Sequence, residues 1–209
     1  MRDGFENIPG VILAGGQSRR MGGGDKALLQ LGDRPILGHV IDRITPQVSG
    51  LALNANGPAD RFEKFGLPVL GDTISGFVGP LAGVLAAMDW ALGLGADQVV
   101  TVAADTPHFP AGLVVDLQHA AAGAGQIVLA ATRARGGTVM RQPTFGLWPT
   151  ALRDDLENAL LMGTRKVVAW TDSHGAGTAV FDSGGYDPFF NINTAGDLEI
   201  ARAELAARR

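Results

Sequence analysis

The chain has 209 residues, of which 46% are hydrophobic and 18% are charged, and its net charge is −4. This length and composition predict one globular domain with a sizeable core and exclude a largely disordered chain. The acidic balance argues against general nucleic-acid binding, and the absence of cysteine excludes disulfides, thiolate catalysis and cysteine-ligated metals.

No segment of the sequence has the pattern of a signal peptide or a membrane span. The first residues, MRDGFENIPG, lack an apolar core, and the most apolar long window, PLAGVLAAMDWALGLGA, is interrupted by Asp89. That window falls short of the roughly 18 apolar residues that a span requires. We therefore expect one cytoplasmic domain, 1–209, with no membrane partner and no nucleic-acid partner.

Short apolar runs alternate with apolar residues at helical spacing along the chain. The runs predict strands at GVILAG, GLALNAN, LPVLGD, QVVTVAAD, QIVLAAT, PTFGLW and TAVFD. Helical spacing predicts helices across residues 36–44, 81–92, 113–117 and 152–160. Thr194 and Asp197 resemble a capping box before a last helix. This alternation predicts an α/β fold of three layers, with a mostly parallel sheet covered by helices on both faces.

The first four predicted strands each end in glycine or a polar residue. They lead into Gly15, Asn54 with Asn56, Asp72 and Asp105. Each residue could simply end its strand as a turn former. The carboxyl ends of parallel strands meet at one edge, however, and open α/β sheets bind ligands there. The four together therefore favour a nucleotide site.

The glycine-rich loop LAGGQSRRMGGGDK, residues 13–26, follows the first strand. It lacks the GxxxxGK[ST] spacing of a P-loop, because Asp25 precedes Lys26 and Ala27 follows it. The dinucleotide fingerprint GxGxxG is also absent, which argues against hydride transfer with NAD. Glycines let backbone N–H groups approach phosphate oxygens, and Arg20 and Lys26 add positive charge suited to a polyphosphate.

Six segments of the sequence, taken in order, resemble the molybdenum cofactor guanylyltransferases. They are VILAGGQSRRMGGGDKALL, NAN, GPLAGVLAAM, AADTP, LMGTRKVVAW and FFNINT. The resemblance covers nearly the whole chain and implies a Rossmann-like nucleotidyltransferase fold. It also implies that the N-terminal part, about residues 8–108, binds nucleotide, while the C-terminal part completes the pterin side.

The activity implied by the resemblance is transfer of GMP from GTP to the terminal phosphate of molybdenum-molybdopterin, with release of pyrophosphate. The implied cofactor is Mg²⁺. GTP and molybdenum-molybdopterin would be the small-molecule partners, and molybdoenzyme apoproteins or delivery chaperones would be the protein partners. A phosphate monoester is already ionised at neutral pH, which agrees with a sequence that shows no obvious Ser-His-Asp set.

The resemblance also assigns residues to the nucleotide. The backbone groups of Leu13, Ala14 and Gly15 would contact guanine or ribose. Asn54 and Asp72 would line the base and ribose region. All five positions lie at the ends of predicted strands, so the resemblance and the strand pattern point to the same edge of the sheet.

A second set of residues would interact with the charged phosphates and the metal ion. Lys26, Arg20 and Asp105 would be the catalytic groups, with Lys26 on the phosphates and Asp105 on Mg²⁺. Asp105 and Lys26 would also belong to the GTP site. Asn191 and Asn193, from the NIN sequence, would lie near the metal and the pterin substrate.

Some features leave alternatives. Gln142-Pro143 stands where many members of the family have His-Pro on the pterin side. A cytidylyltransferase acting on the same pterin is a rival, although such enzymes usually read LAAG where this chain reads LAGG. A sugar-phosphate nucleotidyltransferase and a noncatalytic carrier of the cofactor are further alternatives. Basic residues of the C-terminal part could receive the pterin phosphate or be ordinary solvated charges; they are Arg133, Arg135, Arg141, Arg165 and Lys166.

Overall fold

A computed structural model describes residues 8–15, 25–74, 76, 79–123, 125–134, 136–183 and 185–207. Nine strands lie within these residues: β1 (Gly10–Leu13), β2 (Gln30–Leu31), β3 (Arg34–Pro35), β4 (Leu51–Asn54), β5 (Val69–Leu70), β6 (Gln98–Ala103), β7 (Val128–Arg133), β8 (Val139–Pro149) and β9 (Gly177–Asp182). Seven of them form one sheet in the order β5-β4-β1-β6-β8-β7-β9, and β2 and β3 form a separate antiparallel pair. The mostly parallel α/β sheet predicted from the sequence is confirmed.

One strand of the large sheet, β8, runs opposite to the other six. It follows β7 after a short loop, and so short a connection can join only antiparallel neighbours. Leu129 pairs with Gly146 whereas the next residue, Ala130, pairs with Gln142. The resulting bulge includes Pro143, which has no N–H to give to a ladder. The antiparallel direction of β8 is therefore a local exception within a parallel architecture.

Helices cover both faces of the sheet: α1 (Ile36–Ile44), α2 (Pro80–Gly93), α3 (Leu113–Ala120), α4 (Arg153–Leu161), α5 (Val167–Ser173) and α6 (Ala195–Ala207). Ile12 and Leu53 pack with the buried residues of α1 and α3. Val11 and Ala52, whose side chains point the other way, pack with those of α2, α4 and α5. In the part of the chain described, no helix combines the length and apolar character needed to cross a bilayer.

The helix α6 belongs to a third, smaller core. Its residues Leu198 and Ala201 pack with Leu31 of β2, Ile36 of α1 and the fully buried Ile192. This cluster fixes the segment just before α6 against the N-terminal half of the chain. The two asparagines of the NIN sequence flank Ile192, so the same packing positions both of them.

Among the described residues there are also four short 3-10 helices, at Lys26–Leu28, Thr45–Gln47, Asp60–Phe65 and Thr150–Leu152. The strands and helices predicted from apolar patterns are all present. The pair β2–β3 and the helix α5 were not predicted. All three elements are short, and β2 and β3 have only two residues each.

Candidate active site

The end of β1 lies between the two strands that carry the predicted site residues. Leu13 pairs with Asn54 of β4 on one side and with Ala103 of β6 on the other. The backbone N–H of Ala14 then donates to Asn54 O at 2.8 Å. The glycine-rich loop therefore leaves the sheet between Asn54 and the strand that leads to Asp105. The edge predicted from the strand ends is confirmed.

On the β6 side, Lys26 joins two distant parts of the chain. Its Nζ lies 2.5 Å from Asp105 Oδ2 and 2.7 Å from Asn193 Oδ1. The Lys26 and Asp105 side chains are 18% and 22% exposed, so the pair is sheltered but still accessible to solvent. An ammonium group thus sits between a carboxylate oxygen and an amide oxygen at the edge of the sheet. Such a pair can exchange partners when an anion or a cation arrives.

Thr106, for which the sequence predicts no role, supports the other oxygen of the carboxylate. Its fully buried hydroxyl lies 3.0 Å from Asp105 Oδ1 and also contacts the side-chain amide of Asn191. Both partner atoms, Asp105 Oδ1 and Asn191 Oδ1, are acceptors, so the hydroxyl can donate its single proton to either of them. The backbone N–H of Ile192 donates to Asp105 O at 3.0 Å. The NIN segment is therefore bound directly to the Asp105 turn.

The capping box predicted before α6 is confirmed and also positions Asn193. Asp197 Oδ2 accepts the backbone N–H groups of Asn193 and Thr194 at 2.8 Å each, and the Asp197 N–H donates to Thr194 Oγ1 at 3.1 Å. The Asn193 hydrogen bond lowers the pKa of Asp197 most; the Thr194 bonds and the charge of Lys26 lower it further, against the opposing cost of desolvation. The start of α6 thus fixes the backbone that presents Asn193 to Lys26.

On the β4 side, two asparagines hold one carboxylate. The side-chain amide of Asn54 donates to Asp72 Oδ1 at 3.0 Å and to Leu70 O at 3.2 Å. Asn56 Nδ2 donates to Asp72 Oδ2 at 2.6 Å, and the Asp72 N–H returns a bond to Asn56 Oδ1 at 2.9 Å. Both oxygens of Asp72 are therefore oriented by neutral amide donors, which leaves the carboxylate charge uncompensated by these partners.

A glycine on α2 makes room for this arrangement. A Cβ atom at Gly83 would overlap Asn54 Oδ1 and would lie 2.9 Å from Leu13 Cδ2. Gly15 is also close to this amide, since a Cβ atom there would lie 3.6 Å from Asn54 Oδ1. The buried Asn54 side chain is thus close to the backbone at two glycines, which restricts its orientation.

Arg61, in the 3-10 helix Asp60–Phe65, contacts two separate segments of the chain near the site. Its guanidinium forms an ion pair with Asp25 and donates to Pro58 O and, at 2.5 Å, to Asn56 O. No sequence pattern identifies Arg61, because an arginine in a polar connecting segment carries no sign of its tertiary partners.

Nine of the ten predicted site residues thus lie at or next to one edge of the sheet: Leu13, Ala14, Gly15, Lys26, Asn54, Asp72, Asp105, Asn191 and Asn193. Arg20 lies outside the described residues, as do Gly16, Arg19 and Arg135. Two of the basic C-terminal residues have acidic partners, since Arg133 pairs with Asp182 at 3.4 Å and Arg141 pairs with Asp172.

The donor set around Lys26 fits a hard cation. Mg²⁺ prefers oxygen ligands and commonly uses one or two carboxylates together with phosphate oxygens and water. Asp105 and Asn193 already direct two oxygens at one positive charge. Among the described residues, no group of three or more histidine, cysteine, aspartate or glutamate side chains could form an all-protein metal cage. A cation held by these two oxygens would take its remaining ligands from phosphate and water.

Comparison with known proteins identifies the family of the chain. The family described as MobA-like NTP transferase domain matches residues 10–176. Proteins named molybdenum cofactor guanylyltransferase from Mesorhizobium japonicum and Cereibacter sphaeroides are 48% identical over 198 residues and 45% identical over 200 residues. These matches cover 92% and 96% of this chain, and 93% and 97% of the two relatives.

Solved structures share the fold. Molybdopterin-guanine dinucleotide biosynthesis protein A from Archaeoglobus fulgidus has a TM-score of 0.73 and 21% identity, covering 97% of this chain and 100% of that one. The 4-diphosphocytidyl-2C-methyl-D-erythritolsynthase from Anaerococcus prevotii has a TM-score of 0.72 and 16% identity, covering 96% of each chain. By sequence similarity along nearly its whole length, the chain belongs to the MobA-like nucleotidyltransferase family and, within it, to the molybdenum cofactor guanylyltransferases.

Proposed function

We propose that this protein transfers GMP from GTP to the terminal phosphate of molybdenum-molybdopterin, releasing pyrophosphate and forming molybdopterin guanine dinucleotide. Membership of the guanylyltransferase family supports the choice of substrates. The observation that carries the proposal is the contact of Lys26 with Asp105 and Asn193 beside the glycine-rich loop. This contact brings a positive charge and two oxygen ligands together where a triphosphate would lie.

The reaction is an in-line displacement at the α-phosphorus of GTP. An oxygen of the pterin phosphate forms a bond to that phosphorus, and the bond to the oxygen bridging the α- and β-phosphates breaks. Pyrophosphate leaves with the electron pair. The nucleophile is already ionised, so the main barrier is the approach of two polyanions. Lys26 lowers that barrier by placing a positive charge at the phosphates.

We propose that Mg²⁺, held by Asp105 and Asn193, would neutralise charge on the α-phosphate and the leaving pyrophosphate. Thr106 would keep Asp105 in position, and Arg20 would add a second cation from the loop. Asn191, bound to the same threonine, would face the pterin substrate. Lys26 would then exchange Asp105 and Asn193 for phosphate oxygens as GTP enters.

We assign the nucleoside to the β4 side. The backbone groups of Leu13, Ala14 and Gly15 would contact guanine or ribose. Asp72 has two oriented oxygens that can accept hydrogen bonds from donors on the nucleoside, and Asn54 fixes their direction. In this proposal residues of about 8–108 bind the nucleotide, and the C-terminal part completes the pterin side of a single domain.

The test is incubation of the purified protein with molybdenum-molybdopterin, Mg²⁺ and either GTP or CTP. Pyrophosphate and the dinucleotide product should appear with GTP and depend on Mg²⁺. Asp105→Asn should lower turnover by about 10²–10³-fold, the usual loss when one electrostatic group at the reacting centre is removed.

The matched control is Asp42→Asn, because Asp42 also pairs with a basic residue, Arg34, but lies on α1 at the protein surface. Preference for CTP would assign the chain to cytidyl transfer instead. Tight pterin binding without pyrophosphate release would favour a carrier, and normal turnover of Asp105→Asn would overturn the metal assignment.

A further inference from the structure

Arg61 lies between the two halves of the candidate nucleotide site. Its side chain and that of Asp25 are 24% and 25% exposed, so the ion pair between them is partly sheltered from water. The other end of the guanidinium donates to the carbonyl oxygens of Asn56 and Pro58. One side chain therefore binds three groups that belong to two separate segments of the chain.

Each segment leads directly to a residue of the site. Asp25 precedes Lys26, and Asp25 O accepts the backbone N–H of Leu28 at 2.9 Å, which closes the 3-10 helix that Lys26 begins. On the other side, the Asn56 side chain exchanges two hydrogen bonds with Asp72. Movement of either segment would change the distance between the Lys26 ammonium and the Asp72 carboxylate.

Arginine is suited to this link for geometric reasons. Its planar guanidinium presents five N–H donors in fixed directions, whereas lysine presents a point charge at the end of a flexible chain. Ring contact between the guanidinium and Phe62, at 4.6 Å, further fixes the plane. Lysine could preserve an ion pair with Asp25, but it cannot hold both carbonyl oxygens in the same arrangement.

We propose that Arg61 is a positioning residue that sets the spacing between the phosphate half and the nucleoside half of the site. This inference rests on the proposed function, in which GTP spans both halves. A ligand with two linked ends gains affinity from the high effective concentration of its second end, and it loses that gain when the geometry no longer matches. Arg61 should therefore affect the affinity for the intact nucleotide more than the affinity for either end alone.

The experiment measures the dissociation constants of GTP, guanosine and tripolyphosphate by calorimetry, in the presence of Mg²⁺, for the wild type, Arg61→Lys and Asp25→Asn. Both variants should weaken GTP binding by about tenfold, as expected for loss of one charge-assisted contact. Binding of guanosine and of tripolyphosphate should change by less than about twofold. The double variant should bind GTP no more weakly than the weaker single variant, because both changes break one link.

The matched control is Arg34→Lys, since Arg34 also binds one carboxylate, Asp42, and one carbonyl oxygen, Gly38 O, but on α1. It should leave all three affinities unchanged. Equal losses for GTP and for both fragments, or unchanged GTP affinity in both variants, would overturn the inference while leaving the proposed function intact. A wild type that does not bind GTP would overturn the proposed function and this inference with it.

Discussion

Lys26 contacts Asp105 and Asn193 at the same time. The ion pair keeps a carboxylate and an ammonium from being left without opposite charge at a partly buried position. In the proposed function, a triphosphate would compete for the lysine and a divalent cation would compete for the carboxylate. Binding of the triphosphate would free Asp105 for the cation, and binding of the cation would free Lys26 for the triphosphate. We therefore expect each ligand to raise the affinity for the other.

The first prediction concerns the charge of Lys26. Lys26→Gln should weaken GTP binding by about 10–100-fold, because a charge-assisted hydrogen bond contributes on the order of 1.5–3 kcal/mol. Guanosine, which has no phosphate, should bind almost as before. The measurement is calorimetry with both ligands, and Lys64→Gln, whose ammonium lies over the Phe65 ring, is the control. Equal losses for GTP and guanosine would contradict a phosphate role.

The second prediction concerns the space at Gly83. Gly83→Ala should displace the Asn54 amide from Asp72 and raise the KM for GTP by about tenfold, since the new methyl group overlaps Asn54 Oδ1. Gly93→Ala is a matched control on the same helix, because a Cβ atom there meets no atom within 4 Å. That control should leave KM unchanged and slightly stabilise the fold. A Gly83→Ala enzyme with normal KM would show that the Asn54 orientation is not required.

At the residue scale, prediction from sequence succeeded where a side chain directly ends a strand. Asn54 closes β4 and Asp105 follows β6 by two residues, so the parallel topology alone brings them to one edge. Thr106 and Arg61 were missed for a different reason. Their importance comes from partners 85 and 36 positions away, Asn191 and Asp25, and no local pattern encodes such pairings.

At the scale of elements, the start of α6 connects a local motif to the distant site. The first backbone N–H groups of a helix have no acceptor within the helix, and the side-chain oxygens of the capping box accept their hydrogen bonds. Because Asp197 also accepts the N–H of Asn193, the same bonds that begin the helix orient the asparagine toward Lys26. Stability of the helix end and geometry of the site therefore depend on one carboxylate.

The third prediction is a pH dependence of stability that arises from Asp197. Its folded-state pKa is lowered, so the ionised form stabilises the fold at neutral pH, and this contribution is lost as the pH falls through the folded-state pKa. Asp197→Asn should therefore lower the melting temperature at pH 7, and the difference from the wild type should disappear in strong acid.

The measurement is thermal unfolding of the wild type and Asp197→Asn between pH 7 and pH 2. Asp154→Asn is the control, since it also removes an exposed acid from the first turn of a helix. A difference that grows as the pH falls would contradict the role assigned to the ionised carboxylate.

Elements with a strong apolar period were predicted, and those whose formation depends on their surroundings were not. The helix α2 has nine buried residues and a clear pattern in the sequence. By contrast β2 and β3 have two residues each, and their pairing is supported by the packing of Leu31 against α6. The direction of β8 was also missed, because it follows from the short connection to β7 rather than from its own residues.

At the scale of the molecule, the site is made by strands from one half of the chain and by the NIN segment from the other. The strands β1, β4 and β6 provide the edge, and the small core around Ile192 holds the C-terminal segment to it. A ligand that contacts both halves should therefore stabilise the whole fold rather than one part of it.

The fourth prediction is a joint stabilisation by GTP and Mg²⁺. A ligand present at 100 times its dissociation constant stabilises the folded state by about 2.7 kcal/mol. The rise in melting temperature with GTP and Mg²⁺ together should exceed the sum of the rises with each alone. In Asp105→Asn the additional rise should be absent. A purely additive effect in the wild type would contradict the exchange at Lys26.

The contact between Lys26 and Asn193 joins positions 167 residues apart. At roughly 5–20 residues per second, synthesis of the intervening chain takes on the order of ten to thirty seconds. During that interval the nascent protein already has the glycine-rich loop and its lysine, but not Asn193, whose side-chain oxygen that lysine contacts. The site cannot form until the C-terminal segment has been synthesised. We therefore expect substrate turnover to begin only when translation has passed the NIN sequence.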